Sequence, residues 1–165
     1  MTPLYWPASR LIKKAMIPEL GHFALILALF MAGAHTLPLL CRQAALLQFF
    51  LCLTAFAAFM WAGVTYDFTV AVVAENAHTL KPFTSNIVAT LGTQAGLVLL
   101  GLLAFSFGGA FLAVKKPEPV QLRLIGLTGA VLISFALFVA HPFDRIDPPP
   151  FDGIGYDPFA QEAGK

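Results

Sequence analysis

The sequence predicts an all-α integral membrane protein with four transmembrane helices and both termini on the same face of the bilayer. Of its 165 residues, 58% are hydrophobic and only 12% are charged, whereas about a quarter of the residues in a soluble domain carry charge. Each of four apolar segments reaches the length of about 20 residues that a helix needs to cross the hydrocarbon core. An even number of crossings returns the chain to the face on which it began.

Charge or proline bounds each apolar segment. Arg42 lies between the first two segments, and a long polar stretch at residues 67–94 separates the second from the third. The sequence Lys-Lys-Pro-Glu-Pro at residues 115–119 separates the last two, because proline cannot continue a helix. The predicted transmembrane helices are therefore residues 20–41, 43–66, 95–114 and 124–142.

Basic residues predict how the chain is oriented in the bilayer. We call face A the side that holds both termini and residues 67–94, and face B the side that holds Arg42 and residues 115–123. Short basic loops favour face B as the cytoplasmic side, although the basic residues at 10–14 precede the first helix on face A. The tail from Asp144 is rich in acidic residues, which suits a non-cytoplasmic face A.

Small residues recur every four positions along three of the predicted helices. Such rows let helix backbones approach closely in lipid, where van der Waals packing drives association. They predict packing surfaces that are used either inside this chain or against a partner subunit. The rows are Ala24, Ala28 and Ala32 in the first helix, Ala58 and Ala62 in the second, and Gly126, Ala130 and Ser134 in the fourth.

Few groups in the sequence could carry chemistry. The apolar segments contain no Asp, Glu, Lys or Arg, so the usual marker of a proton or ion pathway is missing. Cys41 and Cys52 belong to no redox or haem-attachment motif, no set of residues predicts a catalytic site or a metal site, and the near-neutral charge argues against a nucleic-acid partner. His22, His78 and His141 lie toward face A, where two of them could be axial ligands to a haem. The alternative is that they are interfacial side chains that hydrogen-bond locally.

Six short motifs occur in order along the chain, and together they resemble a known family. In this order and spacing they are similar to the opening of CcmF, the large membrane subunit of the bacterial and mitochondrial cytochrome c maturation system. The resemblance covers nearly the whole chain from Met16 but only the opening part of a typical family member. The motifs are Met-Ile-Pro-Glu-Leu-Gly-His-Phe-Ala-Leu at residues 16–25, Asp-Phe at 67–68, Val-Ala-Glu-Asn at 73–76, His-Pro-Phe-Asp-Arg at 141–145, Pro-Pro-Pro and Asp-Gly within 148–153, and Asp-Pro-Phe-Ala-Gln-Glu at 157–162.

The sequence departs from the family pattern at the start of its third helix. Family members carry a Trp-Gly-x-His-Glu-Gly-Ser-like motif there, whereas residues 91–97 read Leu-Gly-Thr-Gln-Ala-Gly-Leu and keep only Gly92 and Gly96. The tryptophan-rich segment and the haem-handling histidines of the family belong to a later part of its sequence, and the tryptophans here are Trp6 and Trp61. The resemblance therefore implies that this chain holds no cofactor and that partner subunits handle haem.

The resemblance implies a function in cytochrome c maturation. We expect a non-catalytic membrane subunit, derived from the N-terminal part of a cytochrome c haem lyase, that packs against partner subunits. One alternative is an accessory subunit recruited to a respiratory or photosynthetic electron-transfer complex, and another is a haem-binding membrane protein that uses the face A histidines. The expected location is the bacterial or mitochondrial inner membrane, with the termini on the periplasmic or intermembrane face.

The predicted organisation has three parts. Residues 1–15 are an N-terminal extension, residues 16–142 are the four-helix transmembrane region, and residues 143–165 are an extramembrane tail rich in proline and acidic residues. The start of this tail is expected to dock partner subunits. The residues predicted for that contact are Pro142, Phe143, Arg145, Pro148, Pro149 and Pro150.

Overall fold

The protein is described here from a computed structural model. The structure describes residues 8–35, 37, 40–115, 118–147, 149–150 and 152–154. Within them it is built from helices, of which four are long and apolar enough to cross a membrane by length and composition. The predicted all-α fold with four spans is therefore confirmed. The predicted placement of the two chain ends concerns residues outside the described ranges.

Six α-helices and one π-helical segment make up the fold. The four membrane-length helices are α1, α2, α5 and α6, and two short helices, α3 and α4, lie between α2 and α5. The π-helical segment continues α6 directly. The helices are α1 (Ala8–Ala34), α2 (Cys41–Val64), α3 (Ala71–Asn76), α4 (Phe83–Leu91), α5 (Gln94–Val114) and α6 (Pro119–Phe135), and the π-helical segment is Ala136–Ala140.

The first helix differs from its predicted bounds at both ends. It begins at Ala8, so it includes part of the predicted extension at 1–15, and it accommodates Pro18 within its length. It ends at Ala34 rather than at Cys41, and the N–H of Leu37 donates to the carbonyl of Ala34 over 3.1 Å as the chain turns. The early end follows from the proline at position 38, which disfavours helical backbone in the residue before it.

The polar stretch at residues 67–94 is more ordered than its composition indicates. Helices α3 and α4 occupy much of it, and the chain after α6 runs back across α3. Val70 and Arg145 form an antiparallel bridge, and the N–H of Ala71 donates to the carbonyl of Asp144 over 2.8 Å. We call this layer, residues 67–91 with the described residues of 141–154, the face A cap. It has its own buried apolar cluster, made by Phe68, Val70, Val73, Ala74 and Ala77 together with Ala62 of α2.

Helix α2 lies at the centre of the bundle, where it contacts α1, α4, α5 and α6. Most of the small residues in the predicted rows are buried inside the bundle, where they let helices such as α1 and α6 approach their neighbours closely. Larger buried side chains fill the remaining space, among them Leu25, Phe59, Leu99 and Ile133. Of the predicted rows, Ala24, Ala28, Ala32, Ala58, Ala62 and Gly126 are buried, whereas Ala130 and Ser134 are half-buried.

The outward face of α6 and the segment that follows it is also apolar. Its exposed side chains recur at spacings of three and four residues, which places them along one side of the helix. The described part of the chain leaves this stripe uncovered. It consists of Val120, Leu124, Leu127, Val131, Phe135 and Phe138.

Candidate interfacial site between helix α1 and the segment after helix α6

A groove of about 290 Å³ opens at the face A end of the bundle. One wall is α1 from Pro18 to Ile26, including Glu19, His22 and Phe23, and the other wall is the run from Phe143 to Arg145. The walls belong to two of the motifs that resemble CcmF, at residues 16–25 and 141–145. The fold therefore joins segments that lie more than a hundred residues apart in the sequence.

The ring of Phe143 holds the two walls together. Phe143 is only 7% exposed, and its ring lies in the space beside Gly21 that a Cβ atom at that position would occupy. It makes edge-to-face contacts with the rings of His22, at 6.5 Å between centroids, and Phe59, at 6.2 Å. Edge-to-face geometry is the favoured arrangement for such rings. Glycine at position 21 is thus explained by the close approach of an aromatic ring.

Charged side chains line the rim of the groove. Nη2 of Arg145 lies 3.1 Å from Oε1 of Glu19, and these side chains are 38% and 68% exposed. Nδ1 of His141 lies 3.6 Å from Oδ1 of Asp144, where both side chains are about half exposed or more. Exposed pairs of this kind contribute about 1 kcal/mol or less to stability. They place both signs of charge above an apolar floor without fixing the fold.

The backbone beside the groove is irregular. The π-helical segment Ala136–Ala140 ends at His141, which adopts a left-handed conformation with φ 43° and ψ 54°. His141 precedes Pro142, and a residue before proline is disfavoured in the right-handed helical region. This turn directs the chain from the end of α6 back over α1. Such π-helical turns and left-handed residues are frequent at functional sites.

The three histidines predicted as weak haem ligands are held in different ways. His22 contacts Phe143 and His141 lies beside Asp144, so both adjoin the groove. His78 belongs to the turn before α4, where its Nδ1 accepts a hydrogen bond from the N–H of Leu80 over 3.1 Å. That bond assigns the ring proton of neutral His78 to Nε2, which then has no lone pair for iron. His141 has a carboxylate neighbour, Asp144, of the kind that orients a ligating histidine, although the Nδ1–Oδ1 distance of 3.6 Å is longer than a hydrogen bond.

The segment predicted to dock partners is partly covered by the chain itself. Pro142 is buried, and Phe143 is buried against α1 and α2, because the chain after α6 folds back over the bundle. Arg145 keeps an accessible side chain at the rim, and Pro149 is exposed. Pro150 is half-buried, and Pro148 lies outside the described residues.

Two buried polar side chains, His35 and Gln48, were not predicted from the sequence. His35 is 1% exposed at the end of α1, and its Nδ1–H donates to the carbonyl of Leu122 over 3.1 Å. Gln48 is buried nearby on α2, beside Gly129 of α6. The sequence signal was present, since Gln48 is a polar residue inside an apolar segment and small residues on α6 leave room for it. In the part of the chain that is described, no three His, Cys, Asp or Glu side chains are grouped to hold a metal ion.

Gly96, one of the two glycines kept at residues 91–97, has a structural explanation. Thr93 caps α5, and its Oγ1 accepts a hydrogen bond from the N–H of Gly96 over 3.1 Å. A Cβ atom at Gly96 would lie 2.5 Å from the carbonyl oxygen of Leu91. Gly96 therefore permits the tight junction between α4 and α5, whatever chemistry the neighbouring residues carry.

These features define the class of the protein. It is a multi-pass membrane protein in which four membrane-length helices are covered at one end by a cap of short helices and the chain after α6. The cap and the groove are built from the same segments that carry the family resemblance.

Sequence comparison confirms that resemblance. The chain is 38% identical over 168 residues to the cytochrome c-type biogenesis protein ccl1 of Rhodobacter capsulatus, 36% identical over 168 residues to CycK of Rhizobium meliloti, and 35% identical over 169 residues to CcmF of Pseudomonas aeruginosa. Each match covers 90% of this chain. The chain is thus homologous to the CcmF proteins, and it spans about a quarter of the length of these curated relatives, 25–26% in each case. No protein-family model matches it.

Structure comparison agrees with the sequence. A solved structure of the cytochrome c haem lyase CcmF superposes with a TM-score of 0.70 at 23% identity. The superposition covers 80% of this chain and 25% of that one. The two chains therefore share this fold over most of the length described here.

Proposed function

We propose that this chain acts in cytochrome c maturation as a membrane subunit without catalytic activity of its own. Its curated relatives are named for cytochrome c-type biogenesis. One structural observation carries the proposal: the motifs at residues 16–25 and 141–145 meet in a single groove, through Gly21 with Phe143 and Glu19 with Arg145. A protein that served only as a set of membrane-spanning helices would not need this contact between two distant motifs.

In this proposal, partner subunits carry out the haem chemistry. The family resemblance assigns haem handling to residues beyond those that match this chain. Two exposed pairs, Arg145 with Glu19 and His141 with Asp144, lie beside aromatic side chains at the groove. They are suited to binding and orientation at a membrane surface. The role of the chain is then to position its partners.

We propose that partner subunits contact large apolar side chains of this chain rather than the predicted rows of small residues. Those rows are used inside the chain, as the burial of Ala28 and Ala32 indicates. The exposed stripe on α6, represented by Leu127 and Val131, remains for a neighbouring transmembrane helix. Helices in lipid associate through such close packing. We further propose the bacterial inner membrane as the location, with face B on the cytoplasmic side.

Removal of the gene in its own organism tests the proposed pathway. We expect c-type cytochromes, measured by haem staining of membrane proteins, to be lost while b-type cytochromes remain in absorbance spectra. Unchanged c-type cytochromes, together with purification of the chain in a stable electron-transfer complex, would contradict the proposal. That result would establish the alternative of a recruited accessory subunit.

Photo-crosslinking tests the proposed contact. A photoreactive residue at Leu127 is expected to yield a discrete adduct with another membrane protein, because that side chain is exposed on α6. The same residue at Ile133, on the buried face of the same helix, is the matched control and should yield no such adduct. Lipid adducts alone at Leu127, Val131 and Phe138 would exclude this face as a subunit contact.

A further inference from the structure

The groove at the face A end lies at the depth of lipid headgroups. The membrane-length part of α1 begins at Met16, and the span that includes α6 ends at Ala140. Glu19, His22 and the run from Phe143 to Arg145 therefore lie at the boundary between hydrocarbon and water. A phospholipid next to this part of the chain presents its headgroup to the charged rim and its acyl chains to the helices.

The rim offers both signs of charge within one groove. Arg145 provides a planar guanidinium, which suits phosphate oxygens. The carboxylates of Glu19 and Asp144 accept hydrogen bonds and lie in the same lining. The Arg145 and Glu19 side chains already meet over 3.1 Å, but both are substantially exposed, so this pair is weak and can exchange partners with a headgroup.

The remaining lining suits an acyl chain. Phe23 is 57% exposed and, with Ile26, forms the apolar floor of the groove. A second cavity of about 560 Å³ adjoins it along α1 and is lined by Met16, Leu20 and Phe23, with Glu19 at its edge. Apolar surface below and charge above is the arrangement that an amphipathic ligand requires.

We propose that this groove binds one zwitterionic phospholipid with a primary ammonium headgroup, of the phosphatidylethanolamine class. The phosphate is bound by Arg145, and the ammonium donates hydrogen bonds to the carboxylates of Glu19 and Asp144. A choline headgroup has no N–H to donate, and a glycerol headgroup has no cation to pair with the carboxylates. The groove should therefore distinguish these three lipids.

Native mass spectrometry of the purified full chain in detergent tests the proposal. Phosphatidylethanolamine, phosphatidylcholine and phosphatidylglycerol with identical acyl chains are each added at the same concentration. We expect the ethanolamine lipid to bind at least about tenfold more strongly than the other two. Tenfold is the effect of losing a single one of the charge-assisted hydrogen bonds from the ammonium to the carboxylates. Equal binding of the three, or preference for phosphatidylglycerol, would overturn the proposal.

Variants locate the site on the chain. Glu19→Gln should reduce the preference for phosphatidylethanolamine, because it removes a carboxylate that accepts from the ammonium, whereas Arg145→Gln should weaken binding of all three lipids, because each carries the phosphate. The backbone bonds of the face A cap do not involve these side chains, so both variants should fold. Arg123→Gln, which changes an exposed arginine on α6, is the matched control and should leave the preference unchanged. An undiminished preference in Glu19→Gln, or unchanged binding of all three lipids in Arg145→Gln, would exclude this groove as the binding site. The comparison of lipids on the unaltered chain remains decisive if a variant does not fold.

Discussion

The ring of Phe143 occupies the space that a side chain at Gly21 would fill. A Cβ atom there would also lie 3.0 Å from the Cβ of Ala58 on α2. The absence of one side chain thus lets α1, α2 and the chain after α6 meet at a single point. Because both residues belong to motifs that resemble CcmF, this contact gives those motifs a physical reason to occur together.

Substitution of Gly21 by alanine is the direct test of this contact. Gly21→Ala should displace the Phe143 ring and lower the free energy of unfolding by about 1–3 kcal/mol, the usual effect of overpacking a filled site. Thermal unfolding in detergent measures it. Gly101→Ala is the control, since a Cβ at Gly101 meets nothing within 4 Å. Equal effects of the two substitutions would contradict the prediction, and Phe143→Leu should reduce the effect of Gly21→Ala if the two sites are coupled.

Two glycines on α6 give a second, internally controlled prediction. A Cβ at Gly126 would lie 2.8 Å from the backbone oxygen of Ala32 and overlap His35, whereas a Cβ at Gly129 would mainly meet the flexible end of Gln48. Backbone cannot move away as a side chain can. Gly126→Ala should therefore destabilise the bundle by about 1–3 kcal/mol and Gly129→Ala by clearly less.

Chemical denaturation of the two variants in mixed micelles gives the comparison. Protease resistance of the purified chains should give the same ranking. If Gly129→Ala proved the more disruptive, the placement of α6 against α1 would be wrong.

The four spans could be predicted because their signal is local. A run of apolar residues long enough for the bilayer defines each helix by itself. The end of α1 at Ala34 was missed, since the sequence contains no charged residue between Ala34 and Cys41 and a proline at position 38 is the one strong helix breaker in that segment. The prediction gave more weight to the length of the uncharged segment than to the proline at position 38.

The face A cap could not be predicted because its contacts are not local. Val70, Val73, Ala74 and Ala77 have the spacing of a buried helix face, but the residue that pairs with Val70 is Arg145, much later in the chain. The rows of small residues predicted packing surfaces but not the helices that pack against them, because those contacts are also not local. Lipid-facing and protein-facing surfaces use the same apolar side chains, so only the fold decides between them.

Asn86 is predicted to order the turn that carries His78. Its Oδ1 accepts from the N–H of His78 over 3.2 Å, and its Nδ2 donates to the carbonyls of His78 and Lys81 over 3.0 and 3.4 Å. Asn86→Ala would leave these groups without that partner and should destabilise the turn by about 1–3 kcal/mol. Faster hydrogen exchange of the His78 and Leu80 amides would measure this local loss.

The control for Asn86 lies one residue earlier. Ser85 is exposed on the same helix, so Ser85→Ala should leave exchange in the turn unchanged. If Asn86→Ala also left it unchanged, the side-chain bonds of Asn86 would not hold the turn in solution.

The last prediction concerns haem. His78 uses Nδ1 as an acceptor for the N–H of Leu80, and His22 packs edge-on against Phe143, so neither presents a preformed ligand. His141 lies beside the Asp144 carboxylate, but the distance of 3.6 Å between Nδ1 and Oδ1 is longer than the hydrogen bond that orients a ligating imidazole. The full chain titrated with haemin in detergent should therefore show no Soret shift beyond that of a variant with all three histidines changed to alanine. A larger shift in the unaltered chain, abolished by His141→Ala alone, would contradict this and establish the haem-binding alternative, with His141 as the iron ligand.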